Sequence, residues 1–161
     1  MRPNKQELIE MLSITDETEL QDLYSRAYEI KKATVGTKVY FRGIIELSNI
    51  CSKDCYYCGI RSGNPEFQRY TISLEEALAE AKWCYEQHYG SLVIQAGERT
   101  DKAWVDLVSD LIRGIKQLSD GKLGITLSLG EQSEEVYGRW FKDGAHRYLL
   151  RIETTNPELY K

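Results

Sequence analysis

Long hydrophobic runs, a basic excess and an apolar amino-terminal segment are all missing from this 161-residue chain. No uninterrupted apolar stretch approaches the roughly 18 residues of a membrane-spanning helix. The opening MRPNKQELIE has none of the apolar h-region that a secretory signal carries, so the expected compartment is the cytoplasm. Lys and Arg number 21 against 25 Asp and Glu, a formal charge of -4. No basic stripe interrupts that balance, which argues against nucleic-acid and anionic-membrane surfaces, since both want clustered cations. Linkers and low-complexity stretches are lacking too, and 42% hydrophobic content suffices for the core of a globular unit. Histidine is scarce: His88 and His146 have no partner at metal-ligand spacing and read as structural or surface residues.

Cysteine is sparse as well, but three of the four residues crowd into one run, CSKDCYYC. Cys51, Cys55 and Cys58 have the spacing C-x3-C-x2-C, and three thiolates on a short loop can hold three corners of a cubane iron-sulfur cluster. The fourth iron is then left without a protein ligand and open to chemistry. An electron-carrying cluster of this size takes four cysteines, and Cys84 lies far along the chain in a helical pattern, where it reads as a small core hydrophobe. The competing readings are structural zinc, which would want a fourth Cys or His at close spacing, and three unligated thiols. Cytosolic thiols stay reduced, so metal binding or burial is favoured over disulfides, and a solvent-reachable cluster implies low oxygen.

Apolar periodicity predicts helices over residues 4–12 and 16–32, the second with a stripe of Leu20, Leu23, Tyr24, Ala27 and Ile30. They resemble a cap or lid. A strand is predicted from Val39 to Leu47, running straight into the cysteine loop. Ser73 and Glu76 have capping-box spacing at the head of a helix over 74–88, with a buried stripe of Ala77, Leu78, Ala81, Cys84, Tyr85 and His88 that Gly90 ends. Strand 92–96, helix 102–118, strand 125–129, helix 134–142 and strand 146–151 follow, and TTNPELYK starts a further helix-like segment. Trp104 and Trp140 read as core or helix surface. Such alternation means an α/β fold with parallel pairing and right-handed crossovers. Four βα units are half of an eight-unit barrel, so the expected organisation is an N-terminal helical segment over 1–35 and a partial, truncated barrel over 36–161. Its first and last strands would be open edges that invite pairing with another chain.

Barrels of this kind gather their working groups at the C-terminal strand ends. The first exit carries the cysteines, the second Gln95-Ala96-Gly97-Glu98, the third Ser128-Leu129-Gly130-Glu131, and the fourth Arg151-Ile152-Glu153-Thr154. Arginine pairs with a carboxylate in bidentate fashion and glutamate accepts from ammonium or hydroxyl groups, so a zwitterionic, ribose-bearing ligand would suit them. The bland alternatives are a solvated helix-start carboxylate for Glu98 and an Arg151 ion pair for Glu153.

The cysteine loop, with Tyr57 before its third cysteine and a barrel's first strand before it, resembles the radical S-adenosylmethionine (SAM) superfamily. More narrowly, IIELSNICSKDCYYCGIR, VIQAGE, TLSLGE and DGAHRYLLRIETTNP resemble the HydE-type maturases of iron-only hydrogenase, which are similar to biotin synthase and methylornithine synthase. The likeness covers about residues 20–161 and corresponds to the first half of a radical SAM TIM barrel preceded by two helices. The resemblance implies a 4Fe-4S cluster on Cys51, Cys55 and Cys58 whose open iron chelates SAM and cleaves it reductively, giving a 5'-deoxyadenosyl radical. It also implies SAM contacts by Glu131 and Arg151, an acidic contact at Glu98, a ribose-facing Glu153, and backbone near Tyr57 along the adenine. The implied setting is assembly of the hydrogenase H-cluster, with an organometallic iron or small-molecule substrate, an electron donor such as a ferredoxin or flavodoxin, and other hydrogenase maturases as partners. A biotin-synthase-like or methylornithine-synthase-like catalyst, or a non-catalytic iron-sulfur-binding fragment, is the alternative.

Overall fold

The structure, a computed structural model, describes residues 3–159. It divides into two compact units, Met1–Val39 and Tyr40–Lys161. The first holds two helices, α1 (Lys5–Leu12) and α2 (Glu17–Val35). Asn4 opens α1 with a reciprocal cap to Glu7, and the Asp16 side chain accepts from the Thr18 and Glu19 amides to open α2. Helix α2 runs three residues past its expected end before Gly36, at φ 76, stops it. Neither helix has a buried residue. The apolar stripe of α2 is therefore no core face: Tyr24 and Ile30 stay exposed, and Leu23, Ala27 and Ile30 line only a shallow groove with Met11 of α1.

The second unit is built from β1 (Arg42–Ser48), α3 (Leu74–Glu86), β2 (Ser91–Ala96), α4 (Lys102–Leu118), β3 (Gly124–Ser128), α5 (Glu134–Asp143) and β4 (Arg147–Tyr148). The four strands form one sheet in the order β1-β2-β3-β4 with every pairing parallel. This is the α/β arrangement expected from the alternating periodicities. One sheet face is the core: Ile45, Leu47, Leu92, Ile94, Ile125 and Leu127 pack under α3, α4 and α5. Helix α4 contributes the widest apolar stripe, with Val105, Val108, Leu111, Ile112 and Ile115 at helical spacing and all buried. Trp104 and Trp140 are both core residues, the latter donating its indole N–H to the Val105 carbonyl. Alternation along β1 sends Ile44 and Glu46 to the opposite, open face.

Several boundaries differ from the sequence expectation. Strand β1 begins at Arg42, and Val39, Tyr40 and Phe41 precede it as exposed residues. Helix α3 ends at Glu86 because His88 takes a left-handed φ of 61, so His88 lies outside the helix and off its buried stripe. Strand β4 shrinks to two residues, although its flanks still bond β3: the His146 amide donates to Ile125 O at 3.3 Å and the Leu149 amide to Leu127 O at 2.8 Å. Residues 154–159 form a turn closed by the Leu159 amide on Asn156 O, not a helix, and Tyr160 and Lys161 lie outside the described residues.

Candidate functional site

The cysteine loop leaves β1 at its C-terminal end, and Ser48 sets its base. A register shift between Glu46 and Ser48 frees the Ser48 hydroxyl to donate to Tyr70 O at 2.7 Å, while Asn49 clasps the returning chain through Gln68 O and the Tyr70 amide, both at 2.8 Å. Arg69 closes the loop from inside. Its guanidinium donates to the carbonyls of Asn49, Ile60, Arg61 and Asn64 at 2.6–3.1 Å. Neutral Arg69→Met leaves those carbonyls without a donor; we expect about 2–3 kcal/mol lower stability in denaturant titration and new proteolytic cleavage within residues 50–64.

Two glycines then let the strand exits close on the loop. A Cβ on Gly97 would collide with Ile50 O and lie 2.7 Å from Cys51 Cβ, so only glycine allows β2 to approach the loop backbone here. The Glu98 amide donates to Cys51 Sγ at 3.3 Å and the Ser52 amide to Glu98 O at 2.9 Å. Gly130 holds φ 74, and a Cβ there would lie 2.5 Å from Glu98 Cβ. The Glu98 carboxylate reaches past it to accept the Glu131 amide through Oε2 at 2.8 Å. Glu98 thus ties the second exit to the third. Tyr148 secures the same turn by donating to Gly130 O at 2.7 Å.

The eight candidate site residues line one cavity of about 280 Å³: Cys51, Cys55, Cys58, Tyr57, Glu98, Glu131, Arg151 and Glu153. A larger, mainly apolar groove beside α5 and β4 has no thiol or carboxylate in its lining. The three thiols are free, with Cys51 and Cys58 half-buried and Cys55 exposed. Cys84 is buried on α3, and a Cβ on Gly43 near the start of β1 would lie 2.7 Å from its Sγ, at the end of the strand remote from the loop. Burial pushes its thiol pKa up, as suits a core group.

Among the described residues, no three His, Cys, Asp or Glu side chains are gathered closely enough to hold one metal ion. With Arg151 and Lys53 as cations and three carboxylates around them, the donor set fits an iron-sulfur cluster and a zwitterionic ligand of its open iron. The Tyr57 hydroxyl pKa is pushed up to about 12, first by desolvation and then by the neighbouring Glu153 carboxylate, with the Cys55 and Cys58 charges adding to the effect.

Sequence reasoning missed Lys53. Its ammonium lies 3.4 Å from Glu98 Oε1 and 3.1 Å from Glu131 Oε2, and those two carboxylates raise its pKa. It missed Arg69 and Asn49 too, whose partners are mostly backbone groups that leave no spacing signature.

Comparison with known proteins identifies the family. Residues 45–161 match the Radical SAM superfamily. The FeFe-hydrogenase maturase subunit HydE of Thermotoga maritima is 41% identical over 155 residues, 96% of this chain and 43% of its own length. A Staphylococcus aureus biotin synthase is 30% identical over 150 residues, 90% of this chain and 44% of its own. The crystal structure of methylornithine synthase aligns with a TM-score of 0.86 at 23% identity, over 99% of this chain and 47% of that one, a likeness of fold. The chain thus spans less than half the length of these relatives. With its matched segment running from the core of β1 through the cysteine loop and all four strand exits, the chain belongs to the radical SAM superfamily.

Proposed function

We propose that this chain carries the cluster-binding and SAM-binding part of a radical SAM enzyme of hydrogenase H-cluster maturation. The observation that carries the reading is the single cavity that joins three free thiols to acidic and basic side chains at the ends of four parallel strands. When bound, the 4Fe-4S cluster supplies the electron that cleaves SAM into methionine and a 5'-deoxyadenosyl radical.

The chain's own residues bind and orient. Cys51, Cys55 and Cys58 would hold three irons of the cluster, and the Glu98 amide steadies the Cys51 sulfur. Arg151 would pair with the SAM carboxylate and Glu131 would accept from its ammonium, orienting the amino-acid end of the ligand. Glu98 braces the turn through its Oε2, engaged by the Glu131 amide, and offers Oε1 beside Glu131 to the ligand ammonium. Glu153 would reach the ribose hydroxyls, with the backbone near Tyr57, which lines the same cavity, along the adenine. Identity of 41% with HydE against 30% with biotin synthase favours an organometallic iron substrate over a small organic one. A ferredoxin or flavodoxin would deliver the electron, other maturases would complete the cofactor, and the setting would be an oxygen-poor cytoplasm.

Anaerobically reconstituted protein, given dithionite and SAM, is expected to release methionine and 5'-deoxyadenosine in equal amounts, read by chromatography. Cluster-loaded protein that leaves SAM intact would contradict the reading.

A further inference from the structure

Lys53 lies in the middle of the cysteine loop, and its side chain pairs with carboxylates from two other strand exits. Its ammonium sits between Glu98 Oε1 at 3.4 Å and Glu131 Oε2 at 3.1 Å, on the wall of the cavity that the three cysteines line. The backbone beneath it is fixed, because the Ser62 amide donates to Lys53 O at 2.9 Å and the Ser52 amide to Glu98 O at 2.9 Å. The side chain is less confined: 47% of it is exposed, and its ammonium is held by the two carboxylates, Glu131 at 3.1 Å and Glu98 at 3.4 Å. Glu98 keeps its Oε1 turned to that ammonium while its Oε2 is held by the Glu131 amide. Glu98, 13% exposed and held through Oε2, is the fixed half of a cation seat, the more exposed Glu131 carboxylate is the other half, and Lys53 fills the seat from a long stem anchored on the loop.

A ligand ammonium entering this cavity meets the same two carboxylates. Both cations cannot occupy one seat, since like charges at contact distance repel and each would lose part of its solvation. We infer that Lys53 is a built-in competitor for the ligand-ammonium seat between Glu98 and Glu131, swinging into solvent when SAM binds. Its stem lets it leave without moving the loop, and its return would help expel the amino-acid end of the ligand. Lys53 then sets ligand affinity and turnover of the site without touching the iron. The inference rests on the reading of this cavity as the SAM site.

The test is equilibrium binding of SAM to the anaerobically reconstituted 161-residue chain, comparing wild type, Lys53→Met and Lys53→Arg, with iron and sulfide measured on each. Removing the two ion pairs that the ligand would otherwise have to break is expected to tighten SAM binding about three- to tenfold in Lys53→Met. Lys53→Arg keeps the charge and is expected to stay within about twofold of wild type. Iron content is expected to match in all three. A second readout follows Lys53 directly: its acetylation by a water-soluble reagent, quantified by mass spectrometry, should rise several-fold when SAM is added to wild type. Lys53→Met binding SAM no more tightly than wild type, or losing iron, would overturn the inference, the first by removing the competition and the second by making Lys53 a loop-positioning residue. Wild type that loads iron but does not bind SAM would instead overturn the SAM-site reading itself.

Discussion

Alanine at Cys51, Cys55 or Cys58 is expected to abolish iron loading, whereas Cys84→Ala is expected to keep it. The three loop thiols line one cavity at the end of β1 and β2, while Cys84 is buried under α3 beside Gly43 near the strand's beginning. Each loop cysteine would hold a separate iron, so losing one leaves two thiolates, too few to retain a cubane against dilution or chelator. Reconstituted wild type should carry about four irons and four sulfides per chain, and each loop variant close to none. Cys84→Ala removes one buried sulfur from a well-packed core, a cost of about 1 kcal/mol seen in denaturant titration and not in iron content. Iron retained in all three loop variants would mean that some other donor set holds it.

Gly97→Ala should have nearly as large an effect without touching a ligand. The added methyl would meet Ile50 O, a backbone atom that cannot rotate away, and would press within 2.7 Å of Cys51 Cβ. The loop must shift off the β2 exit, breaking the Ser52 amide bond to Glu98 O and the Glu98 amide contact with Cys51 Sγ. Overpacking of this kind costs about 1–3 kcal/mol, and here the strain falls on a cysteine that would bear iron, so cluster yield should fall more steeply than stability. Gly138→Ala is the matched control. Gly138 lies within α5 with nothing within 4 Å of an added Cβ, so alanine there is expected to raise stability by about 0.5–1 kcal/mol and leave iron unchanged. Equal iron loading in wild type and Gly97→Ala would show that the close approach of β2 has no bearing on the site.

Much of this was legible because strong periodicities fix where strands end. The stripe of Val105, Val108, Leu111, Ile112 and Ile115 marks α4, and its bounds, 102–118, match those observed. Once β1 was read as running into CSKDCYYC, the parallel βα order put the remaining exits on the same side of the sheet, and eight named residues meet in one cavity. Strand β4 was over-read because HRYLLR looks uniformly strand-like, yet it pairs only with β3, and only Arg147 and Tyr148 keep the regular ladder. His88 was over-read for a different reason: it matches the helical stripe in spacing, but a left-handed turn ends α3 before reaching it. What could not be read was the polar wiring behind the site. Arg69 works through carbonyls that every residue possesses, and Lys53 is separated from Glu98 and Glu131 by 45 and 78 positions. Glu98 was visible as an acidic group at an exit, but its engagement of the Glu131 amide depends on the left-handed Gly130, which spacing does not convey.

The most direct measurement is the EPR spectrum of the dithionite-reduced, anaerobically reconstituted protein, recorded before and after SAM is added. Coordination of SAM to the open iron of a three-cysteine cluster, seated by Arg151 and Glu131, predicts a reduced-cluster signal whose g values shift on SAM addition and return when SAM is removed. A cluster signal identical with and without saturating SAM would contradict the account.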